Sequence, residues 1–194
     1  MKLKSILNYS QPDFYHFSED SIALADYLIA SDFLFEGASV LDVFSGCGVI
    51  GLEVLTKFNK PLQIDLVEIQ NEYQEHLEEN ISLTHSEPFV RYHIKHYRDF
   101  AVGLKNDFDF ILANPPYFDP SQVRPGKNKN KNICRQFEEG SLSEFIHLFY
   151  DRLRENGKMF LVLRERPTLK DYKAIVKKEF GRYSIFEIVR LDVD

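Results

Sequence analysis

Residues 39–51 read Ser-Val-Leu-Asp-Val-Phe-Ser-Gly-Cys-Gly-Val-Ile-Gly. The apolar run to Phe44 predicts a short buried strand, and a helix is expected from about Val49 to Lys57. Between strand and helix, Gly46, Gly48 and Gly51 have the spacing G-x-G-x-x-G. Because glycine has no Cβ atom, a ligand can approach the backbone closely at this helix N-terminus. Taken alone, this spacing suits an NAD site or merely a tight strand-to-helix turn.

Outward from this stretch, strands alternate with helices. Strands are expected at residues 62–68, 89–94, 108–113, 159–163 and 184–189. Helices are expected from Ser18, over residues 71–83, from Ser141 to a stop at Asn156-Gly157, and from a cap at Thr168. This order predicts an α/β, Rossmann-like fold with a mostly parallel twisted sheet and helices on both faces. A seventh strand is not evident, so the sheet is expected either to be shorter or to be completed in some other way.

Composition limits the classes of protein that fit. The chain has 194 residues, a net charge of −6 and two cysteines. We expect one domain over 1–194 with a helical lead-in at 1–36, located in the cytoplasm, since no signal peptide or membrane span is visible. His93 and His96 lack partner ligands, so no metal is expected. The acidic balance argues against non-specific coating of nucleic acid.

One segment reverses that charge balance. Residues 121–135 contain only basic charges, and residues 118–136 are expected to form a mobile loop because the Lys-Asn alternation is too polar to pack. Such a loop could contact phosphates or act as a solubilising flap. Its basic residues are Arg124, Lys127, Lys129, Lys131 and Arg135.

The carboxyl ends of two further strands carry groups suited to a nucleoside. Sheets of this kind bind ligands beyond those ends. Glu68 could accept hydrogen bonds from both ribose hydroxyls, or be a solvated charge. Asp99 could take an adenine amine while Phe100 packs on the base; the alternative is an ordinary loop aspartate.

The fourth strand ends in Asn114-Pro115-Pro116-Tyr117. The amide of Asn114 and the carbonyl of Pro115 can accept hydrogen bonds from a planar amine, and Tyr117 offers a stacking face. A simple strand-ending turn is the alternative. An NAD site would leave this tetrapeptide without a role. An S-adenosylmethionine site accounts for all four strand ends: the glycine-rich turn, Glu68, Asp99-Phe100 and the tetrapeptide.

These motifs, in this order, resemble those of class I S-adenosylmethionine-dependent methyltransferases over nearly the whole chain. Asn-Pro-Pro-Tyr resembles the group that methylates planar amines. Three further segments resemble those of the bacterial tRNA1(Val) adenine-37 N6-methyltransferases. They are residues 15–26, the Phe118 that follows Asn-Pro-Pro-Tyr, and Cys134-Arg135-Gln136-Phe137. Phe44 departs from the family's turn glycine, a form also seen in guanine-N2 rRNA methyltransferases, which usually carry Asp-Pro-Pro.

The resemblance implies a class I methyltransferase fold, S-adenosylmethionine as cofactor and tRNA as partner. No membrane partner is expected, and a monomer is favoured over an oligomer. Catalysis is expected at Asn114 to Tyr117. The implied cofactor residues are Phe17, Asp42, Phe44, Ser45, Gly46, Gly48, Glu68, Ile69, Asp99, Phe100 and Asn114. The implied substrate residues are Tyr117, Phe118, Arg124, Lys127, Lys129, Lys131 and Arg135.

Three alternatives to tRNA adenine methylation stay open at this point. The first is a protein methyltransferase acting on a release-factor glutamine, although the extra N-terminal helical domain usual in those enzymes is not seen. The second is methylation of an amine in rRNA or DNA. The third is a non-catalytic binding protein of the same fold.

Overall fold

The computed structural model describes residues 8–116, 126–134 and 141–191. Over these residues one sheet contains seven strands in the order β3-β2-β1-β4-β5-β7-β6. The strands are β1 (Ser39–Val43), β2 (Gln63–Glu68), β3 (Val90–Ile94), β4 (Phe108–Ala113), β5 (Leu153–Leu163), β6 (Tyr172–Glu179) and β7 (Ser184–Arg190).

The first five strands are parallel, and β7 runs antiparallel to both of its neighbours. Every position of β1 is buried, as expected for a central strand covered on both faces. Val43 at the end of β1 pairs with Val67 of β2 and Ala113 of β4. The carboxyl ends of these three strands therefore meet at one edge, and the predicted mostly parallel sheet is confirmed.

Helices cover both faces of the sheet, as predicted. They are α1 (Glu19–Ala30), α2 (Val49–Phe58), α3 (Gln74–Thr84), α4 (Tyr97–Phe100), α5 (Lys129–Ile133) and α6 (Ser141–Tyr150), with a 3₁₀ turn over Asn71–Tyr73. Adjacent strand residues point to opposite faces. Val40 accordingly packs with the core of α1, α2 and α3, whereas Leu41 packs with that of α4 and α6.

The helix expected from Thr168 is wrong, because residues 172–179 form β6. Tyr172 and Ala174 are buried while Lys173 and Ile175 are exposed, which is the period of a strand. Pairing with β7 outweighs the helix propensity of the Lys- and Glu-containing segment. Of the two alternatives for the sheet, the shorter sheet is wrong, and β6 completes the sheet as its seventh strand.

The connection from β5 to β6 contains no helix. Leu163 at the end of β5 and Glu179 at the end of β6 both pair with Ser184, so these two strands run parallel. Residues 164–171 must return the chain along the sheet in an irregular segment, of which Leu169 packs on the core of α4 and α6. A parallel crossover normally uses a helix for this return.

Two smaller differences concern the second half of the chain. Asn156-Gly157 does not end a helix: α6 stops at Tyr150, and the pair lies inside β5, where the register with β4 shifts. Asn156 is left-handed there, with φ 63°. The loop expected to be mobile contains α5 among its described residues.

Candidate active site

A cleft opens at the carboxyl edge of the sheet, beyond β1, β2 and β4. Five chain segments line it, and the sequence had singled out residues in four of them. Those that line it from the predicted set are Phe17, Phe44, Ser45, Gly46, Glu68, Ile69, Asn114, Pro115 and Pro116. Further lining residues come from the segment before and at the start of α1, the glycine-rich turn and α2, the turn after Ile69, and the end of α5: Gln11, Tyr15, Ser18, Asp20, Ser21, Cys47, Val49, Ile50, Gln70, Tyr73, Ile133 and Cys134.

The glycine-rich turn uses left-handed backbone at three positions: Phe44 (φ 62°), Gly46 (φ 54°) and Gly48 (φ 81°). Glycine adopts this conformation without strain, whereas an aromatic residue does not. Phe44 is held by ring contacts with Tyr97, 5.5 Å between centroids, and with Phe145, 5.1 Å. These contacts explain how the departure from the family pattern is tolerated.

Glu68 connects the glycine-rich turn to the loop after β2. Its Oε2 accepts a hydrogen bond from the Gly46 N–H at 3.0 Å. Its Oε1 accepts from the N–H groups of Ile69 and Gln70, both at 2.9 Å. Burial raises the pKa of Glu68, although these three N–H groups act in the opposite direction. Because a carboxylate offers about four lone-pair positions, Oε2 keeps one for a hydroxyl.

Asp42 and Gly48 lie behind the cleft, outside its lining. Asp42 is fully buried, and its Oδ2 accepts a hydrogen bond from the Gly51 N–H at 3.0 Å. Burial raises the pKa of Asp42 to about 8. A Cβ added at Gly48 would lie 2.9 Å from Leu77 and 3.0 Å from Leu66. Asp42 and Gly48 thus support the conformation of the glycine-rich turn from its buried side and do not contact a ligand in the cleft.

Asn114 is tied to α1, which the sequence had not indicated. Its Nδ2 donates a hydrogen bond to the Ser21 Oγ at 3.0 Å. Ser21 is buried at the first turn of α1, next to Asp20, whose carboxylate accepts from the Ser21 N–H at 2.8 Å. Both α1 residues line the cleft. This hydrogen bond orients the Asn114 amide toward α1, with the amide oxygen as its acceptor group.

The end of α5 is a second contribution that the predicted site residues did not include, although Cys134 begins one of the segments that carry the family resemblance. Ile133 and Cys134 line the cleft, although they follow a polar, repetitive segment that gave no sign of packing. The Cys134 Sγ accepts a hydrogen bond from the Gln70 Nε2 at 3.1 Å and lies 3.5 Å from the Tyr73 hydroxyl. Residues 15–26, which contain Asp20 and Ser21, did carry a signal through the family resemblance.

Several other residues that the sequence predicted for the site do not line the cleft. Asp99 is exposed in α4, and Phe100 packs against His93 with ring centroids 4.7 Å apart; neither lines the cleft. Lys127, Lys129 and Lys131 make no ion pair with another residue that the structure describes. Four predicted residues lie outside the described residues: Tyr117, Phe118, Arg124 and Arg135.

Two buried polar atoms among the lining residues indicate a polar ligand. Within the described ranges, neither the Ser45 Oγ nor the Gln70 Oε1 has a hydrogen-bond partner in the protein. Buried polar atoms normally have partners, so these two suit the polar groups of a nucleoside. In the same part of the chain, no cluster of three or more potential metal-binding side chains occurs. None of the helices described there is long and apolar enough to cross a membrane.

Comparison with known proteins gives the family. A model of the family described as "Methyltransferase small domain" matches residues 15–189. The chain belongs to this methyltransferase family. The domain is also 27% identical over 157 residues to a tRNA1(Val) (adenine(37)-N6)-methyltransferase of Haemophilus influenzae, with 77% of this chain and 65% of that protein covered. It therefore spans less than two thirds of the length of that relative.

Shorter and more distant similarities agree. A protein of the same name from Erwinia tasmaniensis is 33% identical over 84 residues, covering 42% of this chain and 33% of that protein. Among solved structures, a precorrin-6y C5,15-methyltransferase of Geobacter metallireducens superposes with a TM-score of 0.61 at 12% identity, covering 94% of each chain. A ribosomal protein L11 methylase of Lactobacillus delbrueckii gives 0.59 at 17%, covering 90% of this chain and 80% of the other.

These structures share the class I methyltransferase fold with this domain and differ among themselves in substrate. The fold thus leaves the methyl acceptor open. S-adenosylmethionine is the cofactor of the methyltransferase family, and the partnerless Ser45 and Gln70 atoms beside Glu68 fit a nucleoside of this kind.

Proposed function

We propose that this methyltransferase domain methylates the N6 amine of an adenine in a tRNA. The observation that carries the proposal is the Asn114 amide, oriented by Ser21 and followed by two prolines, in the same cleft as Glu68. The similarity to the tRNA1(Val) (adenine(37)-N6)-methyltransferase of Haemophilus influenzae supports adenine N6 and tRNA as the target.

The cofactor would be held with its ribose at Glu68. The free lone pair on Oε2 accepts from a ribose hydroxyl, and the exposed side chain of Ile69 packs on the base. Asp20 faces the other end of the cleft and suits the ammonium group of the methionine part. When bound, the cofactor supplies an electrophilic methyl group on a sulfonium.

The residues of this chain then activate and position the acceptor amine. The N6 lone pair of adenine is delocalised into the ring, which makes the nitrogen a poor nucleophile. Hydrogen bonds to the Asn114 Oδ1 and the Pro115 carbonyl favour a pyramidal nitrogen and stabilise the charge that develops on it. No strong base is required, because the methylated ammonium gives its proton readily to solvent.

The substrate adenine has to leave its stack of bases to reach this cleft. Lys129 and Lys131 lie on α5, whose end lines the cleft, and Lys127 lies just before this helix. All three would contact RNA phosphates without reading the sequence. We also propose that the domain acts as a monomer.

The decisive experiment incubates the protein with labelled S-adenosylmethionine and bulk bacterial tRNA, and identifies the product by nucleoside mass spectrometry. N6-methyladenosine is expected. Asn114→Ala should lower the rate about a hundredfold or more while the Kd for S-adenosylhomocysteine changes less than threefold. Gln63→Ala, an exposed amide at the opposite end of β2, is the matched control and should behave as wild type.

Two results would contradict the proposal. Methylation of a release-factor glutamine, with tRNA left unmodified, would make the domain a protein methyltransferase. Loss of S-adenosylhomocysteine binding in Asn114→Ala would place this residue in cofactor binding rather than in catalysis.

A further inference from the structure

The hairpin that joins β6 to β7 lies at the same edge of the sheet as Asn114. β4 ends at Ala113, directly before Asn114, and the parallel β5 beside it ends at Leu163. Ser184, the first residue of β7, pairs with Leu163. Because neighbouring strands are about 4.8 Å apart, the turn at residues 180–183 begins about 10 Å, two strand spacings, from the end of β4.

Tyr183 of this hairpin also reaches the start of α1. Its ring packs on the core of α1, α2 and α3. Burial raises the pKa of Tyr183, and the nearby carboxylates of Asp20 and Glu19 act in the same direction. Asp20 lines the cleft. The hairpin thus borders the cleft on the β7 side of β4, whereas α5 contacts the loop after β2 on the other side.

Two stacked aromatic rings give the hairpin a fixed conformation. The centroids of the Phe180 and Tyr183 rings are 4.8 Å apart, and their planes differ by 18°. The Phe180 N–H donates to the Tyr183 carbonyl at 2.9 Å, and Gly181, with φ 78°, permits the tight turn between them. Neither ring is fully buried. The turn therefore presents aromatic surface in a defined position.

Basic side chains lie beside these rings. The Lys178 Nζ is 5.0 Å from the centroid of the Phe180 ring, and Arg182 is exposed in the turn itself. Neither of these two cations forms an ion pair with another residue that the structure describes. Glu179 is the only acidic residue in the sequence 178–183. Aromatic rings combined with cations are typical of surfaces that bind single-stranded nucleic acid.

We propose that the hairpin between β6 and β7 is a second contact surface for the substrate RNA, separate from α5. Lys178 and Arg182 bind phosphates of the strand that carries the target adenine, and the exposed parts of the two rings contact a neighbouring base. The strand crosses the cleft from α5 to the hairpin, with the target adenine between them. In a chain of net charge −6, local clusters of this kind have to supply the attraction to phosphates. The inference rests on the proposed function, in which RNA is the substrate.

The first test measures tRNA binding by filter titration at several salt concentrations. Lys178→Gln combined with Arg182→Gln should lower the slope of log K against log salt by about 1.4, and the Kd at physiological salt should rise about tenfold. The Kd for S-adenosylhomocysteine should stay that of wild type, because neither residue lines the cleft.

The matched control is Lys170→Gln combined with Lys173→Gln. It makes the same change in net charge at two exposed lysines near the start of β6, the opposite end of this strand. Its salt slope should equal that of wild type. An unchanged slope in the hairpin variant, or an equal fall in the control, would overturn the proposal.

The second test locates the RNA on the hairpin. Arg182→Cys is coupled to a photoreactive aryl azide, irradiated with tRNA, and the cross-linked nucleotide is identified by sequencing. A cross-link beside the methylated adenine is expected. Lys173→Cys is the control position, and the protein without an introduced cysteine reports any reaction at Cys47 and Cys134. Cross-linking that is no stronger from Arg182→Cys than from Lys173→Cys, or that maps away from the methylated adenine, would contradict the proposed path of the strand.

These outcomes are separable from failure of the proposed function. If wild type leaves tRNA unmodified and methylates a protein glutamine, the proposed function fails, and the hairpin is not an RNA surface. If wild type methylates tRNA while the hairpin variants bind and cross-link as their controls do, the function stands and the hairpin is excluded from the interface.

Discussion

Replacing Asp42 by asparagine tests the electrostatics beneath the glycine-rich turn. Asp42 is fully buried on β1, its Oδ2 accepts from Gly51, and its Oδ1 has no partner in the part of the chain that the structure describes. Burial raises the pKa of this carboxyl from its ordinary 3.8 to about 8. Asparagine has the shape of the neutral acid and retains an acceptor for Gly51.

The sign and size of the effect follow from proton linkage. Because the pKa is raised in the folded state, the folded protein binds the proton more tightly than the unfolded chain. The stability from Asp42 is complete below pH 3.8 and is lost as the pH rises through about 8. Each pH unit within that window costs about 1.4 kcal/mol, so wild type loses about 3 kcal/mol from this group between pH 5 and pH 7.

The assay is urea unfolding followed by far-ultraviolet circular dichroism, since the chain has no tryptophan. The free energy of unfolding of Asp42→Asn minus that of wild type should increase by about 3 kcal/mol from pH 5 to pH 7. A difference that stays constant within about 0.5 kcal/mol would refute the reasoning, because Asp42 would then carry the same charge folded and unfolded.

Asp65 on β2 provides the matched control. It is also buried, which acts to raise its pKa, but hydrogen bonds from His93 and Arg91 prevail and lower it. Its contribution is therefore present above pH 3.8 and lost as the pH falls through its lowered pKa. Asp65→Asn should cost about 2 kcal/mol at pH 7 and less below pH 4, the opposite trend to Asp42→Asn.

Two further changes test how the site is positioned and how RNA binds. Ser21→Ala removes the hydroxyl that accepts a hydrogen bond from the Asn114 amide, so kcat should fall about tenfold while KM for S-adenosylmethionine stays within twofold. Ser21→Thr keeps the hydroxyl and should recover most of the rate. Equal kcat in all three proteins would exclude a positioning role for Ser21. Replacing Lys127, Lys129 and Lys131 together by glutamine should lower the slope of log K for tRNA against log salt by about 2. An unchanged slope in a filter-binding titration would remove α5 from the RNA interface.

The parts of the fold that the sequence predicted are those with strong local patterns. The run through Val43 is apolar except at Ser39 and Asp42, and the glycine spacing fixes the turn into α2. The turn at Asn114 was also visible, because two consecutive prolines permit few backbone conformations. Each of these signals lies within about ten residues of sequence.

The missed parts depend on partners that are distant in sequence. Residues 172–179 have acceptable helix propensity, and only the antiparallel neighbour β7 makes them a strand. The hydrogen bond from Asn114 to Ser21 spans 93 residues, and that from Gln70 to Cys134 spans 64. Asp99 was placed in the site because it follows β3, but the single turn of α4 directs it to solvent.

The crossover from β5 places β6 beyond β7, so that among the described residues β6 is an edge strand, with backbone groups that a strand of another molecule could pair with. Its sequence counters such pairing. Lys173, Lys177 and Lys178 are exposed along it, and the register with β7 shifts between Val176 and Lys178. Charged edge residues and bulges both hinder edge-to-edge association. Replacing these lysines with apolar β-formers would therefore favour aggregation of the domain through β6, even where the free energy of unfolding is unchanged.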